Sequence, residues 1–176
     1  MDDYIFRETE RICAKCGTRN PFVALEKIGA VVRYAQNFGV NGLKGFCTIQ
    51  HRTKYVVING KLSAPEQKIV AGHEVGHLIL HEATILESPG QTLKDFNLYS
   101  DSGRTEYQAN LFLANFMLED DALLECIQDN EHLDYFGISA MLYVPPPLLG
   151  FKLFSMARRG YDVRIPVGLD SKFLGK

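Results

Sequence analysis

The sequence lacks three features that would each point to a particular class of protein: a long apolar run, an internal repeat and a strong excess of one charge. Apolar runs such as "LILH" and "PPPLLGF" are far too short to span a bilayer. The N-terminus, "MDDYIFRETER", is charged and has no apolar segment typical of a secretory signal, so we expect a cytoplasmic protein without a membrane partner. A net charge of −2 argues against a general nucleic-acid binder, and we expect no direct contact with DNA.

The sequence has four cysteines in 176 residues. In a cytoplasmic protein such cysteines are expected to be reduced thiols. Cys13 and Cys16 form a C-x-x-C pair, but a structural zinc site needs two further ligands, and Cys47 and Cys126 are isolated in the sequence. We therefore expect Cys13 and Cys16 to be free thiols at a helix end.

What is present suits one compact domain, since apolar residues make up 46% of the chain. A charged helix over residues 4–16 and a short helix starting near Pro21 come first. The segments "AVVRYA", "GFCTIQ" and "KYVVIN" are short and β-branched, and turn-rich stretches separate them. They predict three strands, and the short connections favour antiparallel pairing.

The rest of the chain is predicted to be mostly helical. Ser63 and Glu66 form a capping box with Pro65 in the first turn, followed by apolar residues at helical spacing. A second long helix is predicted over about 103–118, and a small C-terminal helical bundle follows. The predicted class is α+β: a small three-stranded sheet packed on two long helices. We expect a single domain, 1–176, divided into a core, 1–124, and a C-terminal helical subdomain, 125–176.

The first long helix carries the segment "KIVAGHEVGHLILHE". His73 and His77 are four residues apart, so their imidazoles share one helix face and can point at one metal ion. Glu74 would lie beside that ion without binding it, where a general base for a water belongs. Gly76 lowers helix propensity and suggests a packing or functional reason. The alternative is an ordinary helix with two solvated or core histidines.

A catalytic zinc site with two histidines needs a third ligand. Glu106 is the main candidate, because it faces inward on the second long helix if Ala109, Asn110 and Leu113 share its face. Asn110 lies on the same side and could hydrogen-bond the second nitrogen of a ligand histidine, which fixes its tautomer. The alternative for Glu106 is a solvated helix residue, as most glutamates are.

His81 is a second candidate ligand. It follows His77 by four residues, and the intervening "LIL" lacks the glycine that lets a metzincin chain turn back to its metal. We favour instead an interaction of His81 with the helix dipole or loop carbonyls at the helix C-terminus.

The two helices together resemble the ImmA/IrrE family of metallo-endopeptidases. "VAGHEVGHLILHE" followed by "RTEYQANLFLANFML" is similar to the AHELGH-type helix and E-x-x-A-N helix of that family. The flanks "CGTRNPF", "LKGFCTI", "VVINGKLS" and "LYVPPPLLGFKL" extend the resemblance over roughly residues 10–160. Gly72 stands where an alanine is usual and Val75 where a leucine is usual, and "FMLEDD" departs from the "LLMP"-like end of the second helix.

The resemblance implies a thermolysin-like Zn2+ site in a zinc-dependent endopeptidase. By it, His73, His77 and Glu106 are metal ligands, Glu74 is the general base and Asn110 supports a ligand. Family members typically cleave a helix-turn-helix repressor, which relieves repression of mobile-element, prophage or stress genes, so such a repressor is the expected partner. The alternative is a non-catalytic antirepressor or antitoxin-like binding protein on the same scaffold.

Residues 83–101 show no clear period, and a connection of that length is often functional. We expect this stretch to be a mobile loop beside the cleft. Tyr99 and Tyr107 lie near the presumed site, where a tyrosine could stabilise an oxyanion, although aromatic packing is the favoured interpretation. The edge strand near the cleft could hold a substrate in extended form.

The C-terminal part is locally basic. Four cations make it so, namely Lys152, Arg158, Arg159 and Arg164. A solvated face is the favoured interpretation over contact with DNA or an acidic partner, because "ISAMLYVPPPLLGF" is too short for a convincing helix-turn-helix.

Overall fold

The computed structural model describes residues 2–39, 42–87, 93–95 and 103–164. Within these residues the helices are α1 (Asp2–Cys16), α2 (Pro21–Lys27), α3 (Ala64–Leu80), α4 (Glu82–Glu87), α5 (Arg104–Met117), α6 (Asp120–Asp129), α7 (Tyr135–Met141) and α8 (Pro146–Arg158). The strands are β1 (Ala30–Ala35), β2 (Gly45–Gln50), β3 (Thr53–Asn59) and β4 (Leu93–Asp95). The α+β class predicted from the sequence is confirmed.

The strands form one mixed sheet in the order β1-β3-β2-β4. β2 and β3 make an antiparallel hairpin whose two-residue turn, His51 and Arg52, has positive φ at both positions (48° and 65°). Positive φ at both central residues is typical of a type I′ turn, whose twist matches that of the flanking strands. β4 adds three residues to the other side of β2, again antiparallel.

The expectation of an antiparallel sheet is wrong for one pair, because β1 lies parallel to β3. A short connection does reverse the chain between β1 and β2, as expected. However, β3 lies between these two strands, so β1 never pairs with the strand that follows it. The sheet also contains β4 as a fourth strand, which is too short to produce a visible pattern in the sequence.

The first long helix begins as its capping signals predict. The backbone N–H and the hydroxyl of Ser63 both donate to a carboxylate oxygen of Glu66, at 2.9 Å and 2.7 Å. Pro65 lies in the first turn, where a missing N–H costs nothing.

Helices α3 and α5 pack closely because two glycines of α3 face α5. A Cβ on Gly76 would lie 3.2 Å from the carbonyl oxygen of Ala109 and 3.3 Å from its Cα. A Cβ on Gly72 would lie only 2.6 Å from Cδ1 of Leu113. Gly76 therefore has the packing reason that its helix position suggested, and Leu113 fills the space left by Gly72.

One buried apolar cluster connects the helices with the sheet, and its members run from Ile5 in α1 to Met156 in α8. Cys13 and Cys16 are free thiols within it, and burial raises the pKa of Cys13 to about 11. Among the described residues no single helix is long and apolar enough to cross a membrane. Within that part of the chain, α7 and α8 are long and apolar enough only when taken together, and they are bent by 106° at the break between them.

The expectation of a solvated basic face in the C-terminal part is wrong for two of its four cations. Lys152 is 1% exposed, and its Nζ lies 2.5 Å from a carboxylate oxygen of Asp120. Arg159 pairs with the same carboxylate and stacks on the ring of Phe6. Arg158 is exposed, as expected. Asp120 thus supplies a counter-charge that lies far away in sequence.

The stretch 83–101 is not a plain loop, because α4 occupies its beginning and β4 lies within it. Its residues 88–92 and 96–101 lie outside the described residues, and so does Tyr99. The predicted mobility of this stretch therefore stays a prediction.

Candidate metal centre

Helix α3 places two imidazoles one turn apart on the face that meets α5. His73 and His77 are both fully buried, and their Nε2 atoms lie 2.9 Å apart. The rings meet edge to face, with centroids 4.6 Å apart. The i, i+4 spacing thus brings two Lewis-basic nitrogens to one point.

Glu106, in the first turn of α5, brings its carboxylate to the same point. Oε2 lies 3.2 Å from Nε2 of His73, and Oε1 lies 3.3 Å from Nε2 of His77. The residue is 9% exposed, so it is not the solvated glutamate of the alternative interpretation. The close approach of α5 at Gly76 makes this reach possible, since one side chain on α3 there would push the helices apart.

The three donor groups fit a metal ion. Within the described residues, His73, His77 and Glu106 form a group that could hold one, with donor atoms all within 4.8 Å of one another. Tetrahedral zinc ligands at their usual bond lengths are about 3.3 Å apart, close to the separations seen between these atoms. Burial lowers the pKa of His77 to about 4, so its imidazole is neutral near pH 7, the form that binds metal.

Asn110 lies beside this group, one turn after Glu106. Its Oδ1 is 3.0 Å from Nδ1 of His73, and the residue is 1% exposed. When Nδ1–H of His73 donates to this oxygen, the lone pair of the imidazole is on Nε2, which faces Glu106 and His77. The position of Asn110 is therefore the one that its spacing from Glu106 predicts.

Glu74 is fully buried next to His73, and it is not a member of the three-residue group. The first residue of β2, Gly45, leaves space for its carboxylate. A Cβ on Gly45 would lie 3.3 Å from Oε1 of Glu74 and only 2.4 Å from a methyl carbon of Val70. The sheet can therefore approach α3 at this point only because Gly45 has no side chain.

His81 contacts His77 but is not part of the three-residue group that could hold a metal ion. It ends α3 as its C-cap residue and is 6% exposed. Its Nδ1 is 3.1 Å from Nδ1 of His77, and its Nε2 is 2.9 Å from Oε1 of Gln108. The sequence predicted His81 at the helix C-terminus, in contact with the helix dipole or loop carbonyls. It did not predict the side-chain link to Gln108, because that link joins two helices and leaves no pattern in local spacing.

The contacts of Tyr107 favour packing over a role in stabilising an oxyanion. Its ring packs on Phe151 with centroids 5.8 Å apart, and burial raises the pKa of its hydroxyl. Aromatic packing, the favoured interpretation, is what the structure shows.

The fold and this centre together define a metallopeptidase-like protein. Residues 25–142 match the family model of the IrrE N-terminal-like domain, peptidase family M78. This match covers more than half of the chain, so the chain belongs to that family, as the resemblance of its two helices predicts.

A phage protein is similar in sequence to this chain over most of its length. The chain is 29% identical over 144 residues to "Uncharacterized immunity region protein 2" of Bacillus phage phi105. The alignment covers 81% of this chain and 85% of the phage protein.

Proposed function

We propose that this protein is a zinc-dependent endopeptidase. The observation that carries the proposal is the convergence of His73, His77 and Glu106 on one buried point, with Glu74 on the adjacent helix position. Two neutral imidazoles and one carboxylate are the donor set of catalytic zinc sites that keep one position open.

Each polar residue has a part in the proposed reaction. Bound zinc supplies Lewis acidity, which acidifies water and polarises a carbonyl. Glu74 accepts the proton of the attacking water and later donates it to the leaving amine, so the peptide bond is broken with no net change in Glu74. Asn110 holds the ring of His73 with Nε2 towards Glu106.

We assign this activity to one domain, 1–176, with a catalytic core over 1–124 and a helical subdomain over 125–176. One buried apolar cluster that runs from Ile5 to Met156 supports a single domain. The protein would act in the cytoplasm, where it would encounter a transcriptional repressor.

The proposed substrate is a helix-turn-helix repressor of a prophage, mobile element or stress pathway. The phage relative is named for an immunity region, which supports the prophage setting. The substrate would bind in extended form along β4, the edge strand that pairs with the start of β2. Gly45, the β2 residue beside Glu74, pairs with Asp95, so this edge lies close to the proposed general base.

The experiment compares Glu74→Gln and Glu106→Ala with the wild type, and Glu125→Gln serves as a control at an exposed helix position. Zinc content is measured by atomic absorption, and cleavage of a candidate helix-turn-helix repressor is followed by mass spectrometry. Glu74→Gln should retain zinc and lose about 10²–10⁴-fold or more of the cleavage rate, because it keeps the shape and removes the base. Glu106→Ala should lose both.

Two outcomes would contradict the proposal. Loss of zinc in Glu74→Gln together with its retention in Glu106→Ala would mean that the two glutamates have exchanged roles. Derepression in cells by Glu74→Gln at the wild-type level would show that binding alone suffices, and the antirepressor alternative would then hold.

A further inference from the structure

Two residues outside the proposed ligand set form a continuous polar chain that ends on one of the ligands. The chain runs from Oε1 of Gln108 to Nε2 of His81 (2.9 Å), and from Nδ1 of His81 to Nδ1 of His77 (3.1 Å). It links α5 back to the end of α3, on the side of His77 opposite the metal point. His81 is 6% exposed, so water has little room to replace either contact.

The order of donors along this chain follows from its far end. An amide oxygen can only accept a hydrogen bond, so the proton facing Gln108 belongs to Nε2 of His81. A neutral His81 then carries its lone pair on Nδ1. That lone pair accepts the Nδ1–H of His77, so the lone pair of His77 is on Nε2, the atom that lies 2.9 Å from Nε2 of His73.

The geometry also excludes His81 as a fourth ligand of the same ion. Its contact with His77 is through Nδ1 of both rings, whereas the atoms that converge with Glu106 are the Nε2 atoms. The far nitrogen of His81 is taken by Gln108. Neither nitrogen of His81 is directed at the point where the other donors meet.

We propose that His81 and Gln108 are positioning residues for the metal site: they hold His77 in the Nδ1–H tautomer and fix its ring, just as Asn110 does for His73. This inference rests on the proposed function, because it needs His73, His77 and Glu106 to bind a metal. It adds that the affinity for the metal depends on two residues that never touch it. Removing such a partner typically lowers metal affinity by about 10–100-fold.

The test measures zinc affinity of the metal-free protein by competition with a chromogenic chelator at one fixed pH, and repeats the titration with Co2+, whose absorption spectrum reports ligand geometry. His81→Phe keeps a ring and removes both nitrogens. His81→Asn places an amide oxygen near the former Nδ1, so it can still accept from His77. Gln108→Leu removes the far end of the chain at a half-buried position, and Gln108→Glu keeps an acceptor there.

Thr9→Val is the matched control, because it deletes a buried hydrogen bond within α1, from Thr9 Oγ1 to the carbonyl of Ile5, that involves none of the proposed site residues. Melting of each metal-free variant is followed by circular dichroism. A purely structural role for His81 would lower the melting temperature of both His81 variants and leave zinc affinity as in the wild type. The control separates stability loss in general from loss of metal affinity.

The expected result is a drop in zinc affinity of about 10–100-fold for His81→Phe, a smaller drop for Gln108→Leu, and recovery towards wild type in His81→Asn and Gln108→Glu. Zinc affinity within about twofold of wild type in both His81→Phe and Gln108→Leu would overturn the inference while leaving the proposed function intact. Absence of zinc binding in the wild type would instead overturn the proposed function, and the inference with it. Should His81→Phe fail to fold, Gln108→Leu and Gln108→Glu decide between the same outcomes.

Discussion

Helix α5 carries a buried polar cluster towards each end, and the two clusters are built on opposite plans. Towards its C-terminus, Asn115 accepts hydrogen bonds from Ser155 (3.0 Å) and Lys152 (3.4 Å), and the charge of Lys152 is balanced by Asp120. Towards its N-terminus, Glu106 and Asn110 meet the histidines of α3. The cluster around Asn115 contains side chains of both charges. The cluster around Glu106 instead brings together nitrogen and oxygen atoms that carry lone pairs.

The difference teaches how a buried polar cluster can be assigned to stability or to ligand binding. Buried charges are expensive unless opposite charges and hydrogen bonds compensate them within the fold. Asp120 with Lys152 and Arg159 meets that condition through side chains alone. Nitrogens and carboxylate oxygens that converge at 2.9–3.3 Å are instead the arrangement that a bound cation favours.

The largest expected effect on the structural cluster comes from Asp120→Asn. This change leaves the buried cation of Lys152 without its counter-charge, and breaking a buried pair in this way costs about 3–5 kcal/mol. Because the carboxylate is partly exposed, we expect roughly 2–3 kcal/mol, measured by urea unfolding of the metal-free protein. Zinc affinity should stay at the wild-type level. A large loss of zinc affinity in this variant would contradict the assignment of one cluster to stability and the other to metal binding.

Acid should remove the same stabilisation. The cations of Arg159 and Lys152 hold the pKa of Asp120 well below its ordinary value of 3.8, against the opposing effect of burial. A carboxyl group with a depressed pKa in the folded state adds stability above its unfolded pKa, and this is lost as the pH falls through the folded pKa. The stability difference between wild type and Asp120→Asn should therefore be constant from pH 7 to about pH 5 and shrink below about pH 4. A difference that grows on acidification would contradict this account.

Asn110→Ala tests the other cluster. It removes the amide oxygen that lies 3.0 Å from Nδ1 of His73. If Asn110 orients that ring as proposed, zinc affinity should fall by about 10–100-fold, with a parallel loss of cleavage. Chelator competition measures the first and peptide hydrolysis the second. Asn115→Ala is the matched control at the other end of α5, where stability should fall and zinc affinity should not. Equal zinc affinities in wild type and Asn110→Ala would show that this amide only packs.

The smallest expected effect separates two glycines of one helix. Gly76→Ala forces a methyl group against the backbone of Ala109, so we expect a net destabilisation of about 1 kcal/mol despite better helix propensity, together with weaker zinc binding. Gly72→Ala meets only the end of the Leu113 side chain, which can rotate, so its effect on stability should be close to zero. Melting temperatures and chelator competition on both variants give the comparison. Equal behaviour of the two would mean that the approach of α5 at Gly76 is not limiting.

Local signals are enough to predict the two long helices. The capping box at Ser63 and the helical period beyond it predict α3, and the apolar spacing over 103–118 predicts α5 to within a residue at each end. The shared face of His73 and His77 follows from helix geometry alone. The structure then brings Glu106 and Asn110 to them, while the roles of these side chains stay predictions.

Features that depend on distant partners could not be read in the same way. The burial of Lys152 requires Asp120, which is 32 residues earlier in the chain. The link of His81 to Gln108 spans 27 residues and two helices. The parallel pairing of β1 with β3 depends on the order of the strands in the sheet, and here that order differs from their order along the chain.

That parallel pairing has a consequence for how the chain is made. Ala30 pairs with Lys54, and Ala35 pairs with Asn59, so β1 leaves the ribosome well before any residue that it will hydrogen-bond. The β2–β3 hairpin is local, and it can begin to pair once Thr53 follows the turn, because Gln50 pairs with Thr53. β1 therefore gains its strand partner only after β3 has been synthesised, although β1 is the first of the described strands in the chain.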